Sequence, residues 1–300
     1  MKHYYETSIY LWLRNLFFRY IGIPYVYHKT SKYHILSSME SIQYIIDNHC
    51  SVSRYGDGEF SIIWGGGNGF QQPNERLAKL LKKVIEADDV PNHMIGIPIY
   101  IKDFSSLRNP YSYWPLIISR NYYRLKELLS LKRTYLNASM TRFYYELQDR
   151  SHSAEQISLL RKIWDNQDIV IVEGNQTRSG IGNDLYDNAK SIQRILGPAT
   201  NAIDLYDEML EAITNNVNKD KLILLSYGMA ATVLAYDLAK LGYWAVDIGH
   251  IDIEYEWFRR KADDVIKVEG KYTNEAEGGN NVSECNDPKY LSQILIDITK

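Results

Sequence analysis

The sequence predicts an α/β fold: a Rossmann-like, mostly parallel sheet with helices on both faces. Apolar, strand-like runs alternate with helical patterns through most of the 300 residues, and such alternation is typical of parallel strands joined by right-handed crossovers. Several of the runs are continuously apolar, as expected for strands that are covered on both faces. No stretch has the composition of a linker, so we expect a single domain.

Six strands and five helices are predicted in chain order. The strands span residues 51–55, 94–99, 134–139, 168–174, 221–227 and 243–249. The helices span residues 75–87, 114–129, 153–164, 183–196 and 229–242, where apolar residues recur at helical spacing. The stretch TNEAEGGNNVSECNDP, residues 273–288, predicts a flexible loop, and KYLSQILIDI after it predicts a last helix. The domain is expected to cover residues 35–300, after an N-terminal segment of residues 1–34.

Composition and charge limit the classes of function. Hydrophobic residues make up 45% of the chain and charged residues 24%, which is ordinary for a globular protein. The net charge of −3 and the lack of a basic block argue against a nucleic-acid partner. Cys50 and Cys285 have no metal-type spacing, so a reduced, cytoplasmic protein is expected. The 25 tyrosines suit sugar stacking, but packing is the simpler explanation for them.

Residues 9–27, IYLWLRNLFFRYIGIPYVY, are rich in apolar and aromatic side chains. Arg14, Arg19 and a proline interrupt the run, so a membrane-spanning helix is not expected. Leu13 and Phe17 could share a helical face with the arginines beside it, which suits peripheral contact with the inner face of the membrane. A helix packed on the domain is the alternative interpretation.

In sheets of this kind, ligands bind at the carboxyl ends of the strands, so the residues after each strand are the candidates. After the first predicted strand come Arg54, Gly56, Asp57 and Glu59. The glycine lets the backbone turn tightly, and an extended backbone would point the two carboxylates the same way. Two such carboxylates can hold a divalent cation, but they can also cap a helix or form ion pairs. Arg142 follows the third strand.

Two glycine turns are candidates for binding phosphate. The first follows the fourth strand and contains Gly174, Thr177, Arg178, Gly180, Gly182, Asn183 and Asp184. Its glycines free backbone N–H groups, it is expected to run into a helix, and its arginine adds a forked donor. A plain turn, with Asn183 or Asp184 as the helix N-cap, is the alternative. The second turn, SYGMAAT, contains Tyr227 and Gly228 and also opens a predicted helix.

GHIDIEYEW, residues 249–257, places a histidine and three acids at alternate positions. If the backbone is extended, His250, Asp252, Glu254 and Glu256 face one way and repel one another unless a cation or protons lie among them. If it is helical, Asp252 and Glu256 form an i, i+4 pair. In either case an acid here is available as a general base or a metal ligand, so His250, Asp252 and Glu254 are the candidate catalytic residues.

Several long motifs, in order, resemble the GT-D-type glycosyltransferases, a family first defined as a domain of unknown function in bacterial glycosylation and polysaccharide loci. The motifs are RYGDGE (54–59), MTRFYYE (140–146), VEGNQTRSGIGNDLYDNAK (172–190) and the run from 221 to 257. The resemblance implies a Rossmann-like single domain, a UDP-sugar donor and a divalent cation, commonly Mn²⁺, with Mg²⁺ as the alternative. It places the metal-binding motif on Asp57 and Glu59, the arginine–glycine loop on 177–184 and a C-terminal acidic motif on 250–256.

Together these features predict a metal-dependent transferase. As the resemblance implies, it would move a hexose, with glucose as the first candidate, from a UDP-sugar to a hydroxyl of a protein- or lipid-linked glycan acceptor. Arg54, Arg142 and Arg178 would bind phosphate or sugar hydroxyls. A metal-dependent nucleotide-sugar or sugar-phosphate hydrolase could use the same acids to activate water. A carbohydrate-binding module without catalysis is the third alternative, and it would explain the tyrosine content.

Overall fold

Nine strands form one continuous sheet in a computed structural model that describes residues 8–108 and 113–300. The strands are β1 (His34–Ile35), β2 (Ser51–Arg54), β3 (His93–Ile97), β4 (Thr134–Asn137), β5 (Asp168–Gly174), β6 (Ser191–Gly197), β7 (Leu222–Ser226), β8 (Trp244–Asp247) and β9 (Ile294–Asp297). Their order across the sheet is β1-β4-β3-β2-β8-β7-β5-β6-β9. All neighbouring strands run parallel, which confirms the predicted fold class.

Helices lie between the strands along the described part of the chain. They are α1 (Ser8–Phe17), α2 (Ile23–Thr30), α3 (Ser38–Asn48), α4 (Asp57–Ile63), α5 (Glu75–Glu86), α6 (Tyr113–Leu128), α7 (Ser153–Arg161), α8 (Tyr206–Asn216), α9 (Ala230–Lys240), α10 (Ile251–Arg259) and α11 (Pro288–Gln293). A π-helical turn, Phe18–Gly22, joins α1 to α2. Four of the five predicted helices are therefore confirmed, at α5, α6, α7 and α9.

Both faces of the sheet carry a hydrophobic core. In β7, Ile223 and Leu225 belong to one buried cluster, whereas Leu222 and Leu224 belong to the other. Successive side chains of a strand point to opposite faces, so a strand buried on both faces must be apolar at every position. This is the reason for the continuous apolar runs in the sequence.

One predicted helix is wrong, because residues 183–196 form turns and then β6. Leu185, Tyr186 and Ile192 have a helix-like spacing, but residues 191–197 pair with β5 along its whole length. The partner strand therefore decides the conformation over the local pattern. The last predicted helix is also shorter than expected, since α11 ends after six residues and β9 follows as an edge strand.

The N-terminal segment packs on the domain with one side, as far as the structure describes it from residue 8. Ile23 and Val26 of α2 are buried, and α2 contacts α6. The Tyr27 ring packs edge-on against Phe104, with 5.2 Å between the ring centroids. Of the helices in residues 8–108 and 113–300, none has the length and apolar character needed to cross a membrane.

Candidate active site

The carboxyl ends of β2, β4, β7 and β8 meet at one cavity of about 470 Å³. Seven of the sequence-predicted site residues lie in its wall: Arg54, Gly56, Asp57, Glu59, Arg142, Gly228 and His250. A hollow of about 30 Å³ adjoins the cavity and shares Phe70 and Tyr272 with it. Gly174, Thr177 and Tyr227 line the hollow. The structure thus brings these candidates together at the edge of the sheet that the strand-end rule indicates.

Arg54 ties three strand ends together beside the cavity. Its guanidinium donates to the carbonyl of Ala138 (Nη1–O 2.9 Å), to the hydroxyl of Thr141 and to the carboxylate of Asp247 (Nη2–Oδ1 3.1 Å). The packing is so close at Gly249 that an added Cβ would lie 1.9 Å from Nη2 of Arg54. At least three of the five guanidinium N–H donors are thus used within the protein. Arg54 mainly fixes the strand ends and keeps few donors for a ligand.

The RYGDGE turn leads directly into a helix and is not an extended strand end. Asp57 and Glu59 are the first and third residues of α4, and helical positions two apart point in nearly opposite directions around the axis. The prediction that both carboxylates point the same way along an extended backbone is therefore wrong. Glu59 turns back and accepts the backbone N–H of Gly56 (Oε2–N 2.7 Å). Both acids nevertheless line the cavity.

The pKa values of Glu59 and Asp247 are shifted by burial and by the charged groups around this turn. Burial raises the pKa of Glu59 to about 7, and the negative charges of Asp247 and Asp57 add to the rise, while the N–H of Gly56 opposes it. Burial also raises the pKa of Asp247, and its ion pair with Arg54 offsets part of that effect. A positive charge placed next to Glu59 would favour its ionised form.

Asp57 and Glu59 could hold a divalent cation only together with ligand or water oxygens. Among residues 8–108 and 113–300, no group of three or more His, Cys, Asp or Glu side chains is arranged to bind a metal ion. Mg²⁺ is commonly held by one or two carboxylates plus substrate phosphates and water. Two carboxylates in the wall of an open cavity fit that arrangement, and the cation itself stays a prediction.

Arg142 brings a positive charge to the cavity wall. It donates to Glu275 (Nη1–Oε2 3.2 Å) and lies 3.6 Å from Oε2 of Glu254. Loss of hydration alone would raise the pKa of Glu275, but the charge and hydrogen bond of Arg142 lower it to about 2. Burial, together with the charge of Arg142, lowers the pKa of His250 to about 4. At pH 7 the wall therefore offers a cationic Arg142 and a neutral His250.

The acidic stretch after β8 is helical, so Asp252 and Glu256 form the i, i+4 pair of the helical alternative and Glu254 lies on a different face. The stretch forms α10, and Asp252 is buried outside the cavity wall. Its carboxylate accepts from the backbone N–H of Gly180 (2.8 Å) and from the ammonium of Lys271 (2.6 Å). Asn183 donates to both Asp252 and Glu256, each at 2.8 Å. The expected repulsion among the acids is thus relieved by protein groups.

Glu254 is fully buried and also lies outside the cavity wall. Its Oε1 accepts the backbone N–H groups of Tyr144 and Tyr145, both at 2.7 Å. These bonds fasten the chain after β4 to α10. The predicted catalytic role of Asp252 and Glu254 therefore has no support in their position, whereas His250 does line the cavity.

The far half of the first glycine turn serves the surrounding loops. Arg178 donates to the carbonyls of Gly270 (Nη1–O 2.8 Å) and Ser283, so its guanidinium fastens the segment after α10 and is not in the cavity wall. Asp184 accepts from the hydroxyl of Tyr255 (2.8 Å). Because turns and β6 follow the loop, the helix that was expected to support phosphate binding here is missing.

Gly180 and Gly182 have φ angles of +78° and +76°, which favour glycine and explain their place in this tight loop. Neither lies in the wall of the cavity or of the hollow. Only the near half of the loop, with Gly174 and Thr177, reaches the site.

The second glycine turn does open a helix at the cavity. Gly228 has a φ of +54°, and α9 begins two residues later, at Ala230. Ser226 and Gly228 line both the cavity and the hollow, so the positive end of the α9 dipole lies at the wall. The hydroxyl of Tyr227 is buried and has no hydrogen-bond partner within the described ranges. This hydroxyl packs against Gly197, where an added Cβ would lie 2.5 Å from it.

A family model described as the glycosyltransferase GT-D fold matches residues 52–276. This range contains every cavity residue named above. The chain belongs to the glycosyltransferase GT-D family. The match confirms the resemblance carried by RYGDGE and the later motifs.

Solved structures with this fold are similar to the GT-D chain over most of its length. One is described as a domain of unknown function 1792 with a distinct glycosyltransferase fold. Its TM-score is 0.86 at 32% sequence identity, and the match covers 92% of this chain and 99% of that chain. Another, described as a new glycosyltransferase of the same domain type from Streptococcus sanguinis, has a TM-score of 0.82 at 31% identity and covers 88% and 99%.

Two curated relatives are longer than the GT-D chain. The probable glycosyl transferase Gly of Streptococcus gordonii is 34% identical over 275 residues, and the glycosyltransferase GlyD of Streptococcus pneumoniae serotype 4 is 34% identical over 262 residues. The matches cover 89% and 86% of this chain but 39% and 32% of the relatives. The chain thus spans well under half the length of either relative.

Sequence reasoning missed several residues of the GT-D cavity. Asp247 is the last residue of β8, so the strand-end rule could have found it. Glu146 and Glu275 also line the cavity. Glu146 is the last residue of the MTRFYYE motif (140–146) that carries the resemblance, so that motif could have pointed to it. No sequence signal marks Glu275, because only the packing of its loop brings it to the strand ends.

Proposed function

We propose that this GT-D chain transfers a hexose from a UDP-sugar to a hydroxyl of a glycan acceptor, with a divalent cation at the donor diphosphate. One observation carries the proposal: Asp57, Glu59 and Arg142 lie in the wall of one cavity, which the N-terminal end of α9 also reaches. Carboxylates that can hold a cation and positive groups that can bind phosphate are what a nucleoside diphosphate donor requires. The names of the relatives Gly and GlyD support glycosyl transfer.

The donor would extend from the cavity into the hollow. Phe70 and Tyr272 lie where the two join, and aromatic rings suit stacking against a base or a sugar. Gly228 lets the diphosphate approach the backbone at the start of α9. These contacts would orient the donor before any bond is broken.

The charged groups of the wall would act on the diphosphate and the sugar. A cation held by Asp57 and Glu59 would neutralise the charge that the leaving diphosphate gains. Arg142 would exchange its bond to Glu275 for one to a phosphate or sugar oxygen. The neutral ring of His250 can hydrogen-bond a sugar hydroxyl without adding charge.

We assign Glu146 as the group that takes the proton of, or orients, the acceptor hydroxyl. Of the other acids in the wall, Asp57 and Glu59 are assigned to the cation. Asp247 forms an ion pair with Arg54, and Glu275 forms one with Arg142. Burial raises the pKa of Glu146, while Arg142 and the hydroxyl of Tyr100 oppose the rise. A carboxylate with a raised pKa is a better base near neutral pH.

The test is release of UDP from a panel of UDP-hexoses, measured with Mn²⁺ or EDTA and with or without carbohydrate acceptors. We expect release that requires both metal and acceptor. Glu146→Gln should lower kcat by about 10²–10⁴-fold with UDP affinity unchanged, while the exposed control Glu155→Gln on α7 should behave as wild type. Release that no acceptor changes would favour the hydrolase. Absence of any UDP affinity would refute the proposal and favour carbohydrate binding alone.

A further inference from the structure

Exposed apolar side chains cluster on the N-terminal segment. The structure exposes Trp12 (61%), Leu13 (54%), Phe17 (54%), Tyr20 (68%), Ile21 (59%) and Tyr25 (52%) there, and Tyr123 (71%) on α6 beside it. We call these residues, with the basic residues among them, the N-terminal surface. Apart from Tyr27 on the same segment, the other exposed large apolar residues of the described chain are spread along it, at Tyr44, Leu131, Leu241, Leu291 and Leu295. A cluster of this kind marks an interaction site, whereas isolated exposed residues need no explanation.

The cluster lies on a segment that is anchored to the domain. Ile23, Val26 and Thr30 face a packed interface that includes Tyr100 and Ile118. One side of the segment is therefore already buried against α6 and the chain after β3. The exposed side chains are what remains after that packing.

The charge of the N-terminal surface differs from that of the whole chain. Residues 8–30 contain Arg14, Arg19 and Lys29 and no acid, although the chain carries a net charge of −3. Arg120 of α6 adds to this charge; burial and the nearby charge of Arg14 lower its pKa. Lys29 lies 5.7 Å from the centroid of the Tyr25 ring, so cations and aromatic rings are interleaved.

We propose that the N-terminal surface docks on an anionic lipid bilayer, with α1 and α2 lying along its interface. Aromatic rings and long basic side chains are the groups that suit the headgroup region, where one end of each is apolar and the other is polar. The absence of acids from residues 8–30 matches the negative charge of such a surface. No helix of the described residues can cross the bilayer, so contact is peripheral.

The surface lies close to the active-site cavity along α6. Trp114, near the start of that helix, lines the cavity, and Tyr123 is nine residues further on, about 13 Å along the axis and about two and a half turns around it. The two side chains therefore lie on opposite sides of α6, and the same helix carries part of the cavity wall and part of the N-terminal surface. Docking would hold the cavity within reach of a lipid-linked acceptor across this helix. That consequence rests on the proposed function, whereas docking itself is independent of it.

The test is sedimentation of the full chain with two kinds of vesicle. One kind is phosphatidylcholine alone, and the other also contains about 30% phosphatidylglycerol, which makes the surface strongly anionic. We expect binding to the anionic vesicles only, and weaker binding as salt rises. Arg14→Glu/Arg19→Glu should weaken binding by roughly 30-fold or more, since each basic residue contributes near the surface. Trp12→Ser/Phe17→Ser should weaken it similarly.

A matched control separates this surface from general charge effects. Lys79→Glu/Lys82→Glu changes two exposed lysines of α5 and should leave vesicle binding unchanged. Equal binding of wild type and the arginine double variant would overturn the proposal. So would a dimer in sedimentation equilibrium that Trp12→Ser/Phe17→Ser dissociates, with no vesicle binding by the wild type. Circular dichroism checks that each variant is folded. The UDP affinity of these variants should equal that of wild type, so that a failure of vesicle binding can be told apart from a failure of the proposed transferase function.

Discussion

Substitutions of Glu254 test whether this buried acid has a structural or a catalytic role. In Glu254→Ala, the backbone N–H groups of Tyr144 and Tyr145 lose the carboxylate that each contacts at 2.7 Å. Arg142 also loses a partner at 3.6 Å. A buried donor left without a partner costs about 1–3 kcal/mol, and breaking a buried charge pair costs about 3–5 kcal/mol. We therefore expect a loss of about 3–5 kcal/mol in the free energy of unfolding.

For a chain of this length, that loss corresponds to a fall of about 5–8 °C in Tm. Glu254→Gln keeps the oxygen that accepts both N–H groups and loses only the ion pair, so its cost should be about 1–2 kcal/mol. A structural role predicts that Glu254→Gln retains kcat within about threefold, because the residue does not touch the cavity.

Differential scanning fluorimetry and UDP-release kinetics on the two variants give both quantities. Glu146→Gln is the comparison, since it should lose kcat and keep Tm. If Glu254→Gln instead lost more than about 100-fold in kcat with Tm unchanged, the residue would act as the base. The assignment of Glu254 to structure would then be refuted.

Three further outcomes follow from the cavity wall. Gly249→Ala should lower both Tm and UDP affinity, because its Cβ would lie 1.9 Å from Arg54. Gly182→Ala, also at positive φ but with open space around it, should cost only the backbone strain. Equal effects of the two substitutions would contradict the steric reasoning. The pKa of Glu59 is raised from 4.5 to about 7 in the folded protein, so the folded state holds the carboxyl proton of Glu59 more tightly than the unfolded state does. The contribution of Glu59 to stability therefore falls as the pH rises from 4.5 to 7. Glu59→Gln should remove this decrease of Tm with pH. Asp57→Asn should abolish Mn²⁺-dependent UDP binding. Its Tm should stay within about 2 °C of wild type, since partly exposed residues rarely contribute more than about 1 kcal/mol to the free energy of unfolding. Full UDP binding by this variant would reject Asp57 as a metal ligand.

Local pattern and topology were enough to predict which edge of the sheet carries the candidate site. Strands buried on both faces are recognisable as apolar runs, and their carboxyl ends meet at one edge of a parallel sheet. Arg54, Asp57 and Gly228 became candidates in this way, because Arg54 ends β2 and the other two follow β2 and β7 within three residues. The rule says where a residue lies along the sheet, but it does not say which way its side chain points.

The direction of side chains depended on features that the pattern does not contain. Glu59 turned out to cap α4, because the helix begins at Asp57 without any extended residues after the turn. Arg178 points to carbonyls of a distant loop, and Glu254 to backbone N–H groups of another. These contacts join segments about 90 to 110 residues apart, so no local spacing could reveal them.

The proposal depends most directly on a UDP site that requires a metal. Calorimetric titration of UDP into the full chain, with Mn²⁺ and then with EDTA, tests it, with Asp57→Asn and Glu155→Gln titrated in parallel. We expect UDP to bind in Mn²⁺, to lose at least tenfold in affinity in EDTA, and to lose its metal dependence in Asp57→Asn alone. UDP affinity that neither EDTA nor Asp57→Asn changes would contradict the metal site, and no binding in any condition would contradict the UDP-sugar donor.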